Sequence, residues 1–305
     1  MLPSILTTFL FAASGVFGRR SAMMMGALPA NFARLLIATA VLGAMTWTLF
    51  PATLKSGPVF NWFFFSGVIG FGMGDLALFL AFQRIGSRLT VLLTQCLAAP
   101  IAALAEFLWM GTTISLEEAG SAVLIFTGVA LAIAPGARSL PHRSGSWTAG
   151  IVFGVVAAAG QGLGATVSRQ AELVAAIANQ PTHGIGAAFQ RILGGVLVAG
   201  LAVLLAKAWR GRRDTAAITP RKPPRAVWKW IVANAFAGSI LGVSCYQWAL
   251  ADFPSAIVLA IVATTPIVIM PLAWWMEGDA PGRRSAIGAV IAVSGACLLC
   301  LLQAG

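Results

Sequence analysis

Ten apolar stretches restrict this chain more than any other feature of its sequence. Each runs for about 17 to 25 residues, the length a helix needs to cross roughly 30 Å of hydrocarbon. They cover residues 3–25, 29–50, 60–81, 89–110, 119–135, 147–168, 184–206, 228–250, 255–275 and 285–302. Lipid offers no partner for a backbone N–H or C=O, so a stretch of this kind crosses as a helix whose hydrogen bonds are all internal. The chain therefore reads as an all-α integral membrane protein. Arg19 and Arg20 interrupt the first stretch and make it the weakest of the series.

Composition agrees. Of 305 residues 59% are apolar and 10% charged, the mean hydropathy is +0.88, and soluble domains carry about 25% charged residues. The net charge of +11 raises nucleic acid as a partner. That reading fails, because the basic residues sit in short clusters between apolar runs and not along one solvated face. Loops facing anionic lipid explain the charge better.

Cys96, Cys245, Cys297 and Cys300 all fall inside apolar runs, which excludes the disulfide framework of a secreted domain. Cys297 and Cys300 have C-x-x-C spacing, but leucines flank them and no second ligand pair exists, so they read as lipid-facing filler. His142 and His183 lie in polar connectors, and no H-E-x-x-H occurs; no metal or cofactor is expected. The first apolar run lacks a basic leader and a small-residue cleavage site, so it reads as a retained helix.

The helix ends carry turn residues: Pro51, Gly57 and Pro58; Pro135, Gly136 and Pro141; Pro181; Pro220, Pro223 and Pro224; Pro281 and Gly282. Nine of the ten tryptophans cluster there, as expected for indoles at the headgroup level. Trp248 is the exception, deep in the eighth stretch. Glycines recur four apart at Gly70 and Gly74, Gly150 and Gly154, and Gly160 and Gly164, a spacing that lets neighbouring backbones approach.

The two halves of the chain align with one another. Phe32, Arg34 and Gly43 match Phe189, Arg191 and Gly200; Pro100, Ile101, Trp109 and Met110 match Pro266, Ile267, Trp275 and Met276; Ala122, Val123 and Gly128 match Ala289, Val290 and Gly295. Arg20 and Ala22 match Arg169 and Ala171, and the offset grows only across loops. Five helices per half is odd, so the second copy enters the membrane from the opposite side. The expected organisation is a first repeat over 1–137, a connector over 138–146 and an inverted second repeat over 147–305.

In this pattern the sequence resembles the EamA type of the drug/metabolite transporter superfamily. The resemblance rests on Arg20 and Arg169, on Arg34 and Arg191, and on the run from Gly74 and Asp75 through Phe82 to Gly86, Ser87 and Arg88, followed by Pro100. In the second half it rests on Trp248, Ala249 and Leu250, then Pro266, then Glu277, Gly278 and Asp279 ahead of Gly288. It implies ten transmembrane helices in two inverted five-helix repeats, and secondary transport, with export of an amino acid or amphipathic compound across the cell membrane. One departure stands out: the family's loop glutamate is present as Glu277, whereas the first half reads Gly111, Thr112, Thr113.

Ionisable groups near mid-membrane cost about 2.5 to 3.5 kcal/mol on insertion scales, so those that persist pair, face water or carry function. Asp75 is expected either to carry a proton or meet a substrate amine, or to pair with Arg88 or Arg34. Arg34 and Arg191 are expected to cap carbonyls, lock the repeat interface or hold an anion. Glu106, near the end of its helix, reads as solvated or paired. Gln95, Gln161, Tyr246, Gln247 and Trp248 lie on helices that resemble cavity-lining ones, and Thr265 is a further cavity candidate. Pro100 and Pro266, in mirrored positions, are hinge candidates.

Sixteen of the twenty basic residues fall in one set of alternate connectors, which puts those connectors in the cytoplasm and both termini outside; the resemblance implies the reverse. The chain holds no P-loop, so ATP hydrolysis is not expected. The alternatives to transport are a membrane-embedded enzyme acting on a lipid-linked substrate, and a scramblase or scaffold. The expected partners are the bilayer and a small-molecule substrate, with protons as a candidate coupling ion; monomer and homodimer are both open.

Overall fold

A computed structural model describes residues 2–54, 57–110, 115–133, 145–213, 224–252, 258 and 261–302. All of the regular structure among them is helical. In chain order the helices are α1 (Leu2–Met25), α2 (Ala27–Leu49), α3 (58–85), α4 (87–110), α5 (Leu116–Ile133), α6 (Trp147–Ile177), α7 (Gly184–Arg213), α8 (227–252), α9 (Thr265–Glu277) and α10 (Arg283–Leu302). Eight continuous helical runs among the described residues are long and apolar enough to cross a membrane. The number is lower than the ten expected stretches for two reasons. α3 and α4 join in one run at Gly86, and α9 is helical over 13 residues from Thr265 because part of the expected 255–275 stretch lies outside the described residues. Also outside them are Gly111, Thr112, Thr113, Pro135, Gly136, Arg138, Pro141, His142, Arg143, Pro220, Arg221, Lys222 and Pro223.

Arg19 and Arg20 do not break α1, which is continuous to Met25. α6 and α7 run on to Ile177 and Arg213, past the ends of their apolar stretches, because a helix keeps its hydrogen bonds where polar residues meet the interface.

Gly86 has φ 82° and ψ 170°, a conformation open in practice only to glycine, and the single residue reverses the chain between α3 and α4. α6 reports the reversal. Its Gly150 packs on Arg84 and Ile85, Gly160 on Gly74, and Gly164 on Gly70 and Ser66, so α6 descends α3. Its Gly154 meets Leu93 and its Gly162 meets Ala98 and Ala102, so α6 ascends α4. The four-residue glycine spacing thus does what it does in lipid, where small residues admit the close backbone contact that apolar burial does not drive.

Two further contacts are reciprocal. Phe189 fills the notch at Gly43 and Phe32 fills the notch at Gly200, so α2 and α7 cross antiparallel, each donating its phenylalanine to the other's glycine. Gly128 lies against Gly288 and Ala292, and Gly295 lies against Ser121 and Ile125, which makes α5 and α10 an antiparallel pair with backbones in contact. These residues are the repeat-matched ones. A two-fold axis in the membrane plane relates matched helices in this antiparallel sense, and an axis along the normal would leave them parallel.

Each half also contains one π-helical stretch at a matched place, Val68–Gly74 within α3 and Ala235–Gly242 within α8. The wider turn shifts the faces of the helix and is a frequent companion of functional sites. Trp47, Trp109, Trp209, Trp274 and Trp275 are exposed on the outer surface. Cys300, expected to face lipid, is instead buried in the core that α4, α5, α6 and α10 share, because α10 turns its 289, 292, 293, 296, 299 and 300 face inward.

A methyl group at Gly128 would overlap the α10 backbone, whereas at Gly120 on the same helix it would meet nothing within 4 Å. Gly128→Ala is expected to lower the thermal unfolding midpoint of the detergent-purified protein, at a cost of about 1–3 kcal/mol, and Gly120→Ala to leave it unchanged or raise it. Differential scanning fluorimetry on the two variants checks both.

Candidate functional site

A cavity lies at the middle of the bundle, with about 90 Å³ open to the centres of water-sized molecules. Its wall takes residues from both halves: Phe11 and Gly15 of α1, Arg34 of α2, Phe71, Asp75 and Phe82 of α3, Thr94 and Gln95 of α4, Gln161 of α6, Arg191 of α7, and Tyr246 of α8. The two π-helical stretches border it through Gly70 and Gly74 on one side and Gly238 on the other. Aromatic rings around a few polar groups are the ordinary make-up of a small-molecule site.

Arg34 and Arg191 are each the eighth residue of their helix, and they reach the cavity from opposite ends. Their partners differ. Arg34 is fully engaged: its Nε donates to Asn31 Oδ1 (3.0 Å), Nη1 donates to Ser239 Oγ (2.7 Å), and Nη2 forms an ion pair with Asp75. The guanidinium also lies over the Phe79 ring, 4.9 Å from its centroid. Asp75 therefore pairs with Arg34, and Arg88 is engaged elsewhere.

Arg191 is held just as firmly but makes no ion pair among the described residues, and Asp75, paired with Arg34, interacts with it only electrostatically. Gly67 and Gly194 bring the backbones of α3 and α7 into contact beside it, and any side chain at Gly67 would collide with the Arg191 carbonyl. Its guanidinium lies 5.5 Å from the centroid of Phe71 and passes over Gly70, where a methyl group would stand 3.3 Å from Nη2. Arg191 is 6% exposed, makes no salt bridge among the described residues, and its Nε has no hydrogen-bond partner. The hydroxyl of Tyr246, also without a partner, interacts with it electrostatically.

One end of the cavity is sealed. Beyond Phe82 and Gly18, Arg19 pairs with Glu277 (3.1 Å), and the Ser87 hydroxyl donates to the same carboxylate (2.8 Å). Arg88 grips Asp279 with two parallel hydrogen bonds of 3.1 Å and donates to Ser285 Oγ. Arg20 donates to the Met276 carbonyl and stacks on Trp230. The Gly-Ser-Arg at 86–88 and the Glu-Gly-Asp at 277–279 thus dock on each other. Each motif depends on its glycine. Gly86 makes the reversal, and Gly278 (φ 70°) closes α9 with Gly278 N–H to Trp274 O and Asp279 N–H to Ala273 O, which aims the two flanking carboxylates at their arginines. Arg19 Nε and Glu277 Oε1 have no partner, so the network is not saturated.

The opposite end is held by less. Glu106 pairs with Arg169 (3.0 Å), both partly exposed, and Phe50 stacks on His183 with ring centroids 3.6 Å apart. Burial holds the His183 imidazole below its usual range, so the ring is neutral at pH 7 and its Nδ1 accepts from the Ile185 N–H (3.3 Å). That contribution to stability is present above the ordinary imidazole range and is lost as the pH falls through the depressed value. In the sequence no basic residue lies between Leu250 and Thr264, and no acid lies between Gly111 and Leu116, so neither half of the buried network is repeated there.

Among the expected site residues the structure places Gln95, Gln161, Tyr246, Asp75, Arg34 and Arg191 on the cavity wall. Gln247, Trp248 and Thr265 lie elsewhere. Tyr246 faces the cavity, and a 100° step per residue carries Gln247 round to accept a hydrogen bond from Ser168 (3.0 Å) and turns Trp248 outward, where it is 53% exposed. Thr265 is buried and donates to the Val262 carbonyl. Pro100 lies inside α4, but its mirror Pro266 stands in the first turn of α9, where a missing N–H is no loss, and Pro271 is the proline within that helix. Arg19 and Arg88, counted in the charge bias as connector residues, are buried in ion pairs and do not report on loop orientation. Phe11, Phe71, Phe82 and Ser239 were missed, because an aromatic or serine in an apolar run carries no sign of which way it faces.

The chain matches the EamA-like transporter family twice, over residues 1–134 and 148–301. No curated protein matches it significantly. One solved structure, described only as the crystal structure of a protein, superposes with a TM-score of 0.65 at 16% identity, over 98% of this chain and 96% of that chain; this shows a shared fold. The chain is a multi-pass membrane protein of the EamA-like transporter family.

Proposed function

We propose that this protein is a secondary transporter of the cell membrane that exports a small metabolite by alternating access. In this reading ten crossings form two inverted five-helix halves, 1–137 and 147–305, joined by the connector 138–146. The observation that carries it is a polar-and-aromatic cavity midway along the helices, built from both halves and closed at one end by two buried ion pairs, while the ion pair described at the other end, Glu106 with Arg169, is partly exposed. A metabolite of about amino-acid size with an apolar or aromatic body suits a cavity of this size and lining.

The antiparallel contacts of α2 with α7 and α5 with α10 are the natural pivots, because backbones in contact rotate on one another without opening a void. The seal of Arg19, Ser87 and Arg88 against Glu277 and Asp279 then parts when the halves rock, and the opposite end closes. Breaking one partner of a buried pair costs about 3–5 kcal/mol, enough to invert a two-state population. The Arg34–Asp75 pair lies within the cavity, and protonation of Asp75 would free Arg34, which makes it the candidate point for coupling to protons.

Counterflow in proteoliposomes, with a panel of amino acids, nucleosides and aromatic monocarboxylates, tests transport directly. Saturable exchange of any member is expected; leak without saturation would put the non-transport alternatives first. Asp75→Asn leaves Arg34 buried without its acid and is expected to lower the unfolding midpoint by several degrees, while Asp75→Asn with Arg34→Gln recovers most of the loss. Should Asp75→Asn instead fold normally and exchange substrate without any response to a proton gradient, Asp75 is the proton carrier.

The seal has its own test. A single cysteine at Thr94, with the four native cysteines replaced, reports access to the cavity. Glu277→Gln is expected to raise its labelling by an impermeant thiol reagent from the Gly86 end several-fold and to lower it from the opposite end. Equal labelling in both backgrounds would remove the ion-pair network from the gating mechanism.

A further inference from the structure

The cavity contains one more positive than negative group, and the excess sits on Arg191. Three charged side chains line it, and two of them, Arg34 and Asp75, neutralise each other. An arginine that is 6% exposed, with a buried Nε that meets no acceptor, is costly where it stands. The usual solution in a protein interior is a partner carboxylate, and the second half has none: the residue matched to Asp75 is apolar, in the Val243 region of α8. The guanidinium interacts electrostatically with Tyr246, whose hydroxyl is a second buried polar group without a partner, and with Asp75, whose ion pair is with Arg34. Arg191 and Tyr246 thus both line the cavity, beside the rings of Phe11 and Phe71. On the far wall, Asp75 is already committed to Arg34, so no free acid is offered to an ammonium group.

We propose that the cavity selects an organic monoanion, a monocarboxylate with an apolar or aromatic body, whose carboxylate is held by the Arg191 guanidinium and the Tyr246 hydroxyl. This deepens the transport reading and rests on it. The planar guanidinium offers parallel N–H donors that match the two carboxylate oxygens, and the bound anion replaces the missing acid, so the charge that destabilises the empty cavity becomes binding energy. The body of the substrate lies against Phe11, Phe71 and Phe82, with Gln95 and Gln161 opposite to orient any further polar group. A zwitterion brings an ammonium that finds Asp75 occupied; a cation meets an uncompensated arginine. Selection by charge follows from repulsion as much as from attraction.

Three probes that share a phenyl body and differ in charge test the assignment on the purified full chain: 3-phenylpropionate, phenylalanine and phenethylamine. Isothermal titration and the shift in unfolding midpoint are expected to show binding of 3-phenylpropionate well ahead of phenylalanine, and none of phenethylamine. Arg191→Gln, checked for a monodisperse and cooperatively unfolding protein, is expected to weaken carboxylate binding by about tenfold or more. Tyr246→Phe weakens it by about threefold to tenfold, and Arg191→Lys keeps part of it because the charge stays while the bidentate geometry goes. Equal or tighter binding of phenylalanine or phenethylamine, carboxylate binding unchanged in Arg191→Gln, or no binding of any probe to the wild type at millimolar concentration would each overturn the proposal. Carboxylate binding without counterflow would sink transport and leave the anion site standing; counterflow of the cation would keep transport and sink the anion site.

Discussion

Everything in this bundle depends on contact between backbones at glycine. Lipid tails are as apolar as leucine, so burying a leucine between two membrane helices gains little, and cohesion has to come from close packing and polar contacts. Gly160 on Gly74, Gly128 on Gly288 and Gly67 on the Arg191 carbonyl bring helices together where a single methyl group would hold them apart. The reciprocal contacts at Gly43 and Gly200, and at Gly128 and Gly295, also define the antiparallel relation of α2 to α7 and of α5 to α10. The cavity is what is left between helices positioned in this way.

Polar groups act within that frame as fasteners of unequal strength. The motifs at 86–88 and 277–279 each turn on a glycine with positive φ; the first presents the Ser87 hydroxyl and Arg88, the second the carboxylates of Glu277 and Asp279. They belong to different halves, and their meeting closes one end of the cavity. Among the described residues the other end shows no such pair of motifs.

The same asymmetry governs the cavity. Arg34 and Arg191 occupy equivalent positions, yet only the first half supplies an aspartate. A duplicated framework thus holds one cation in an ion pair and, at the matched position, one that makes none among the described residues.

The repeated apolar crossings and the duplication were legible in the sequence, because hydropathy over a span of this length and residue matches between the halves are one-dimensional properties. Arg34, Asp75 and Arg191 also stood out, since a charge within an apolar run is costly wherever it points. The choice of Arg34 as the partner of Asp75 was not legible: Arg88 was an equal candidate until Gly86 turned it away towards Asp279. Nor could Gln247, Trp248 and Thr265 be separated from Tyr246, because a membrane helix is apolar on every side and its sequence carries no polar stripe to mark the inner face. The sequence by itself determined that the chain crosses the bilayer repeatedly and which charges it carries there. Only the tertiary structure decided which of those charges are paired and which faces the cavity, because that depends on the rotation of each helix about its own axis, set by glycine contacts and π-helical turns that involve residues far apart in the chain.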